Sequence, residues 1–89
     1  MISRELTIVN KLGLHARAAS HLVKVASGFA AQITVGRGGA TANAKSIMGL
    51  MLLAAAKGQT VTVAAEGPDE CEALAAVEKL VRDRFNEEQ

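Results

Sequence analysis

Residues 2–9 alternate between apolar and polar positions, with Leu6 and Ile8 on one side and Glu5 and Thr7 on the other, which predicts a half-buried strand. Over residues 16–27 the period lengthens. Ala19, Leu22, Val23 and Ala26 fall on one helical stripe, and Gly28 follows where a left-handed cap would end the helix. Alternation returns over 31–35, the run Gly36-Arg37-Gly38-Gly39 signals a turn, and 40–43 predicts a short return strand. Ser46 is a suitable N-cap for a second helix over 47–57, closed by Gly58. Val61, Val63 and Ala65 share one face of a strand over 60–65. Gly67-Pro68-Asp69-Glu70 then opens a third helix over 69–84 with Leu74, Val77, Leu80 and Val81 as its stripe, and the polar tail 86–89 is expected to fray.

The predicted order is βαββαβα, which defines an α+β domain spanning residues 1–89. Helical crossovers and one hairpin fit an antiparallel four-stranded sheet with all helices on one face and threonines on the open face. Two strand orders satisfy these constraints, 1-4-2-3 and the ferredoxin-like 4-1-3-2, and periodicity does not choose between them.

Eighty-nine residues suffice for one core but not for a core plus a catalytic lobe, so any site should be shallow. Ten basic against nine acidic side chains leave a net charge of +1, and Trp and Tyr are absent. Neither the charge nor the composition is that of a surface that follows a nucleic-acid backbone or stacks on bases. One cysteine, Cys71, allows no internal disulfide or cysteine-rich zinc site, and the start of the chain lacks the blocks of a signal peptide. The expectation is a cytoplasmic monomer with no metal or cofactor. The longest uncharged apolar run, 47–56, is about half of what a membrane span needs, so no membrane insertion is expected.

Candidate chemistry gathers at the start of the first helix. His15 falls at the N-cap or just before it, where Ser, Thr, Asp or Asn would stabilise better. Arg17 places a cation in the first turn, against the dipole. Two local rules broken together mark a functional site. Free amides, the dipole and a guanidinium all favour a phosphate, and an imidazole beside them is placed to act as a nucleophile. Such a site could hold a phosphoryl group and pass it on. His21, six residues later, lies on another face and is expected at the surface.

The second helix is apolar all round, although covering one sheet face needs a single stripe. With Leu50, Leu53 and Ala54 assigned to the core, Ile47, Met48 and Met51 are left partly exposed as a candidate docking patch.

Gly13-Leu14-His15-Ala16-Arg17 resembles the active-site motif of the HPr family, the histidine-containing phosphocarriers of the bacterial phosphoenolpyruvate-dependent phosphotransferase system. Lys45-Ser46-Ile47-Met48-Gly49 resembles the second signature of that family, and the length and element order agree. The resemblance implies the open-faced β-sandwich with order 1-4-2-3. It implies that Enzyme I, charged by phosphoenolpyruvate, phosphorylates His15 on Nδ1 and that the group moves on to a IIA protein or domain. The chain would then be a carrier rather than an enzyme. Arg17 and the first amides of the helix, including that of Ala16, would hold the phosphoryl oxygens. Ile47, Met48 and Met51 match the docking surface, and Ser46 matches the regulatory site of an HPr kinase/phosphorylase. Ala18 stands where many members carry proline, and as a good helix former it should preserve the helix start. Sugar-transport carriers and those of the nitrogen-related chain share this site, and both branches stay open.

A rival reading of another class rests on Gly36-Arg37-Gly38-Gly39, which has the G-x-x-G spacing of the KH backbone clamp for RNA. That clamp joins two helices, whereas here the run lies between predicted strands. A thiol enzyme built on Cys71, near the start of the third helix, would need a cleft that the sequence does not indicate.

Overall fold

The computed structural model describes residues 1–86 of the 89-residue chain. Its elements are β1 (Ile2–Thr7), α1 (Ala16–Ala26), β2 (Gln32–Arg37), β3 (Ala40–Asn43), α2 (Ile47–Leu52), β4 (Thr60–Glu66) and α3 (Glu70–Arg82), followed by a 3-10 turn (Arg84–Asn86). The four strands form one antiparallel sheet in the order β1-β4-β2-β3, the order of an open-faced sandwich.

Register explains why this order buries the right residues. Leu6 lies opposite Val61, Val35 opposite both Val63 and Ala42, and Ile33 opposite Ala65, so the apolar positions of all four strands share one face. The helices cover that face with Ala18, Ala19, Leu22, Leu50, Leu74 and Val77, each almost wholly buried. Burying a side chain such as Leu50 contributes about 1.5–3 kcal/mol. The opposite face carries Glu5, Thr62, Thr34 and Thr41, all exposed.

Several boundaries differ from the sequence reading, each for a local reason. β1 ends at Thr7, and β2 runs on to Arg37 instead of stopping at 35. α2 was predicted over 47–57 but stops at Leu52. Ala54 turns to φ 53°, left-handed without a glycine to mark it, and is exposed, while Ala55 is buried in the place predicted for Ala54. α3 ends at Arg82 instead of 84, because Arg84 (φ 57°) and Phe85 (φ 54°) reverse the chain and bury the Phe85 ring in the core. The fraying predicted for 86–89 falls largely on residues 87–89, outside the described residues.

Asp69 is the N-cap residue of α3, but its side chain makes no capping hydrogen bond to the helix. Its carboxylate accepts from the amides of Ala30 (2.9 Å) and Ala31 (2.8 Å), tying the α1–β2 connection to the start of α3. The Ala30 amide holds this carboxyl below the ordinary carboxylate range against an opposing effect of burial, and the Ala31 amide and Lys45 act in the same sense as Ala30.

Candidate functional site

His15 is the N-cap of α1, with extended backbone (φ −82°, ψ −178°). Its carbonyl accepts from the Ala19 amide at 2.8 Å, the first bond of the helix. Its side chain does what a capping serine would do, since Nδ1 accepts from the Arg17 amide at 3.3 Å. An atom that accepts an N–H bears a lone pair, so in the neutral ring the proton sits on Nε2. The unprotonated nitrogen, Nδ1, therefore points at the amides of the helix terminus.

α1 has no acid in its first turn, whereas α3 carries Glu70 and Glu72 in its first turn and Lys79 and Arg82 in its last. α3 is built to complement its own dipole, and α1 leaves the positive end open. Ala16 and Arg17 are exposed, and Arg17 makes no side-chain ion pair among the described residues. His15, Ala16 and Arg17 are thus brought together at one accessible helix terminus.

The loop before His15 is fixed by contacts the sequence did not reveal. Gly13 donates to the Asn10 carbonyl at 3.2 Å, and the buried Asn10 side chain donates back to the Gly13 carbonyl at 2.7 Å. Leu14 donates to the Ala55 carbonyl at 2.8 Å. Gly13 has φ 68°, and a β-carbon there would lie 2.5 Å from the Ala55 oxygen, so no other residue fits without moving the loop.

Ser46 is the N-cap of α2, its Oγ accepting from the Gly49 amide at 3.2 Å. On α2 and its C-cap, Leu50 and Leu53 are core, while Ile47 and Met51 are each 41% exposed and Met48 is 70% exposed. The sequence reading omitted Leu52, 79% exposed, and Leu12, 68% exposed in the loop before His15. Leu52 follows Met48 by four residues, so the helical period already places the two on one face. α2 packs against α1, which places the apolar patch on the element beside the histidine.

His21 is not a free surface residue. It is half-buried, and Nδ1 lies 2.9 Å from the Phe85 carbonyl. A carbonyl only accepts, so this Nδ1 carries a proton, opposite to that of His15. Cys71 is exposed between Glu70 and Glu72. The Gly36-Arg37-Gly38-Gly39 run joins β2 to β3, not two helices, and Arg37 donates to the Leu53 carbonyl at 2.7 Å. Among the described residues no group of three His, Cys, Asp or Glu side chains could hold a metal ion, and no helix is long and apolar enough to cross a membrane.

Comparison with known proteins bears on the chain as a whole. The family model for the PTS HPr component phosphorylation site matches residues 2–83. The chain is 51% identical over 87 residues to the phosphocarrier protein HPr of Cupriavidus necator, covering 98% of each chain. It is 45% identical over 86 residues to the phosphocarrier protein NPr of Shewanella violacea, covering 97% of this chain and 94% of that one. A crystal structure of HPr-C-His from Thermoanaerobacter tengcongensis superimposes with a TM-score of 0.95 at 45% identity, with full coverage of both chains. A histidine capping an acid-free helix on an open-faced sandwich, matched over nearly its whole length, places this chain in the HPr family of phosphocarriers of the phosphotransferase system.

Proposed function

We propose that His15 accepts a phosphoryl group on Nδ1 from phospho-Enzyme I and passes it to a IIA protein or domain. The observation that carries this reading is the 3.3 Å bond from the Arg17 amide to Nδ1, which keeps the lone pair on that nitrogen and orients the ring. In the transfer the Nδ1 lone pair bonds to phosphorus as the bond to the donor breaks. The incoming oxygens meet the amides of Ala16 and Arg17 and the guanidinium of Arg17. The chain contributes no general base, because a neutral imidazole has no proton to lose at Nδ1. Catalytic groups beyond these come from the partners, which makes the protein a carrier.

Ile47, Met48 and Met51, together with Leu52, form the surface on which both partners dock in turn. Ser46 is the regulatory position, a substrate for an HPr kinase/phosphorylase. A phosphate there meets the start of α2 without disturbing the fold, but sets charge beside Ile47 and Met48 where docking requires dehydration. The carrier works as a cytoplasmic monomer in sugar transport or its regulation. Similarity to the NPr of Shewanella violacea supports a second reading, service in the nitrogen-related phosphotransferase chain.

Incubation with Enzyme I and labelled phosphoenolpyruvate tests the proposal. Label should appear as an acid-labile, alkali-stable adduct on the parent and on His21→Ala, and be absent from His15→Ala. Label retained by His15→Ala would overturn the assignment. Transfer onward to a sugar-type or a nitrogen-type IIA protein separates the branches.

A further inference from the structure

The segment that backs the histidine loop is held from behind by a side chain of the sheet, and we infer that Arg37 is a positioning residue for phosphoryl transfer, acting through Leu53–Ala55 on the loop that carries His15. The inference rests on the carrier reading of His15 given above.

Three contacts follow one another along the chain. The half-buried Arg37 donates from Nε to the Leu53 carbonyl at 2.7 Å. Leu53 is the C-cap of α2, where carbonyls have lost their helical donors and a cation is favoured. The next residue, Ala54, is in the left-handed region at φ 53°, a conformation that costs an alanine free energy and persists only where its surroundings impose it. Ala55 then accepts the Leu14 amide at 2.8 Å and lies against Gly13 so closely that a β-carbon would be 2.5 Å from its oxygen. Leu14 is the residue before the nucleophile.

Each contact has a distinct part. Leu53 and Ala55 are buried, so the strained Ala54 is clamped between two fixed residues. Arg37 supplies the hydrogen bond on the α2 side of the clamp, and Leu14 receives its effect on the His15 side. Without the donor, Ala54 is free to relax toward negative φ. That rotation turns the Ala55 carbonyl away from Leu14 and loosens the His15 imidazole against the helix terminus. The chemistry at Nδ1 is unchanged, but its alignment for transfer is lost.

Two nearly isosteric variants isolate the hydrogen bond. The amide nitrogen of Arg37→Gln stands the same number of bonds from the backbone as the arginine Nε, so it retains a donor without the charge. Arg37→Met retains the apolar stem and has no donor. In Arg37→Met, hydrogen exchange at the Leu14 amide should accelerate about tenfold or more while the β4 amides keep parent rates, as local opening requires. The kcat for phosphorylation by phospho-Enzyme I should fall with KM unchanged, which sets positioning apart from docking. Arg37→Gln should restore most of both readouts.

Unchanged Leu14 exchange in Arg37→Met would overturn the inference. So would equal acceleration in β4, which would make Arg37 a general stabiliser, or local opening with an unchanged kcat. Phosphorylation of the parent is the separate control, since its failure would refute the carrier reading whatever the exchange rates show.

Discussion

The Arg17 amide donates to His15 Nδ1 across 3.3 Å while the Arg17 guanidinium extends from the exposed side of the same turn. The backbone of Arg17 orients the imidazole while its side chain takes the role proposed for it in phosphoryl transfer, and substitution separates the two. Arg17→Ala keeps the amide and should change stability by less than about 0.5 kcal/mol. It should slow phosphoryl transfer from Enzyme I, and Arg17→Lys should recover only part of the rate because an ammonium lacks the planar fork. Stopped-flow transfer and thermal unfolding measure the two effects.

His21 gives the complementary result. Its bond to the Phe85 carbonyl fastens the 3-10 turn to α1. His21→Ala should lose about 1 kcal/mol in urea unfolding while His15 is still phosphorylated.

Two substitutions in the loop pair should have opposite signs. Ala54→Gly places glycine at φ 53° and should raise stability by about 0.5–1 kcal/mol. Gly13→Ala forces a β-carbon toward the Ala55 oxygen at φ 68° and should cost more than about 1 kcal/mol, with slower transfer. Denaturant melts of both variants provide the check.

Acid stability should depend on Asp69. The Ala30 and Ala31 amides depress the folded-state pKa of this carboxyl, so its contribution is present above the unfolded-state value and is lost as pH falls through the lower, folded-state value. Asp69→Asn should destabilise the protein at neutral pH and flatten its loss of stability below about pH 4. Melting curves from pH 7 down to pH 2 would display both changes.

Met48 is the most direct probe of the proposed docking patch. Met48→Asp should alter stability by less than about 0.5 kcal/mol because the side chain is 70% exposed. It should weaken Enzyme I binding by about tenfold or more, measured by calorimetry. A large loss of stability would assign the residue to the core.

The strands were legible because a sheet with one wet face writes its period into the chain, and Val61, Val63 and Ala65 did so plainly. The place of His15 was legible for the opposite reason, since a histidine and an arginine at a helix start break local preference. Strand order was not in the periodicity and came from the resemblance. The early end of α2 was hidden because a left-handed turn usually announces itself with glycine, and here Ala54 makes it. The burial of Phe85 and the duty of His21 depend on each other across the fold, and no local pattern carries them. The same holds for Arg37, whose hairpin position is legible and whose bond to Leu53 is not.

The ladder that sets Ile2 against Ala65 and Thr7 against Thr60 makes the first strand synthesised one of the last to be paired. While the chain emerges from the ribosome, α1 and the β2–β3 hairpin can form from neighbouring residues, but β1 has both edges open until β4 follows. Ala55 and Gln59, which receive the Leu14 and Ile8 amides, also arrive late. The histidine loop therefore takes shape together with the sheet, not before it. A chain interrupted before Ala55 contains His15 but neither the carbonyl that receives the Leu14 amide nor the strand that pairs with β1, so the segment before the histidine has nothing to fold against.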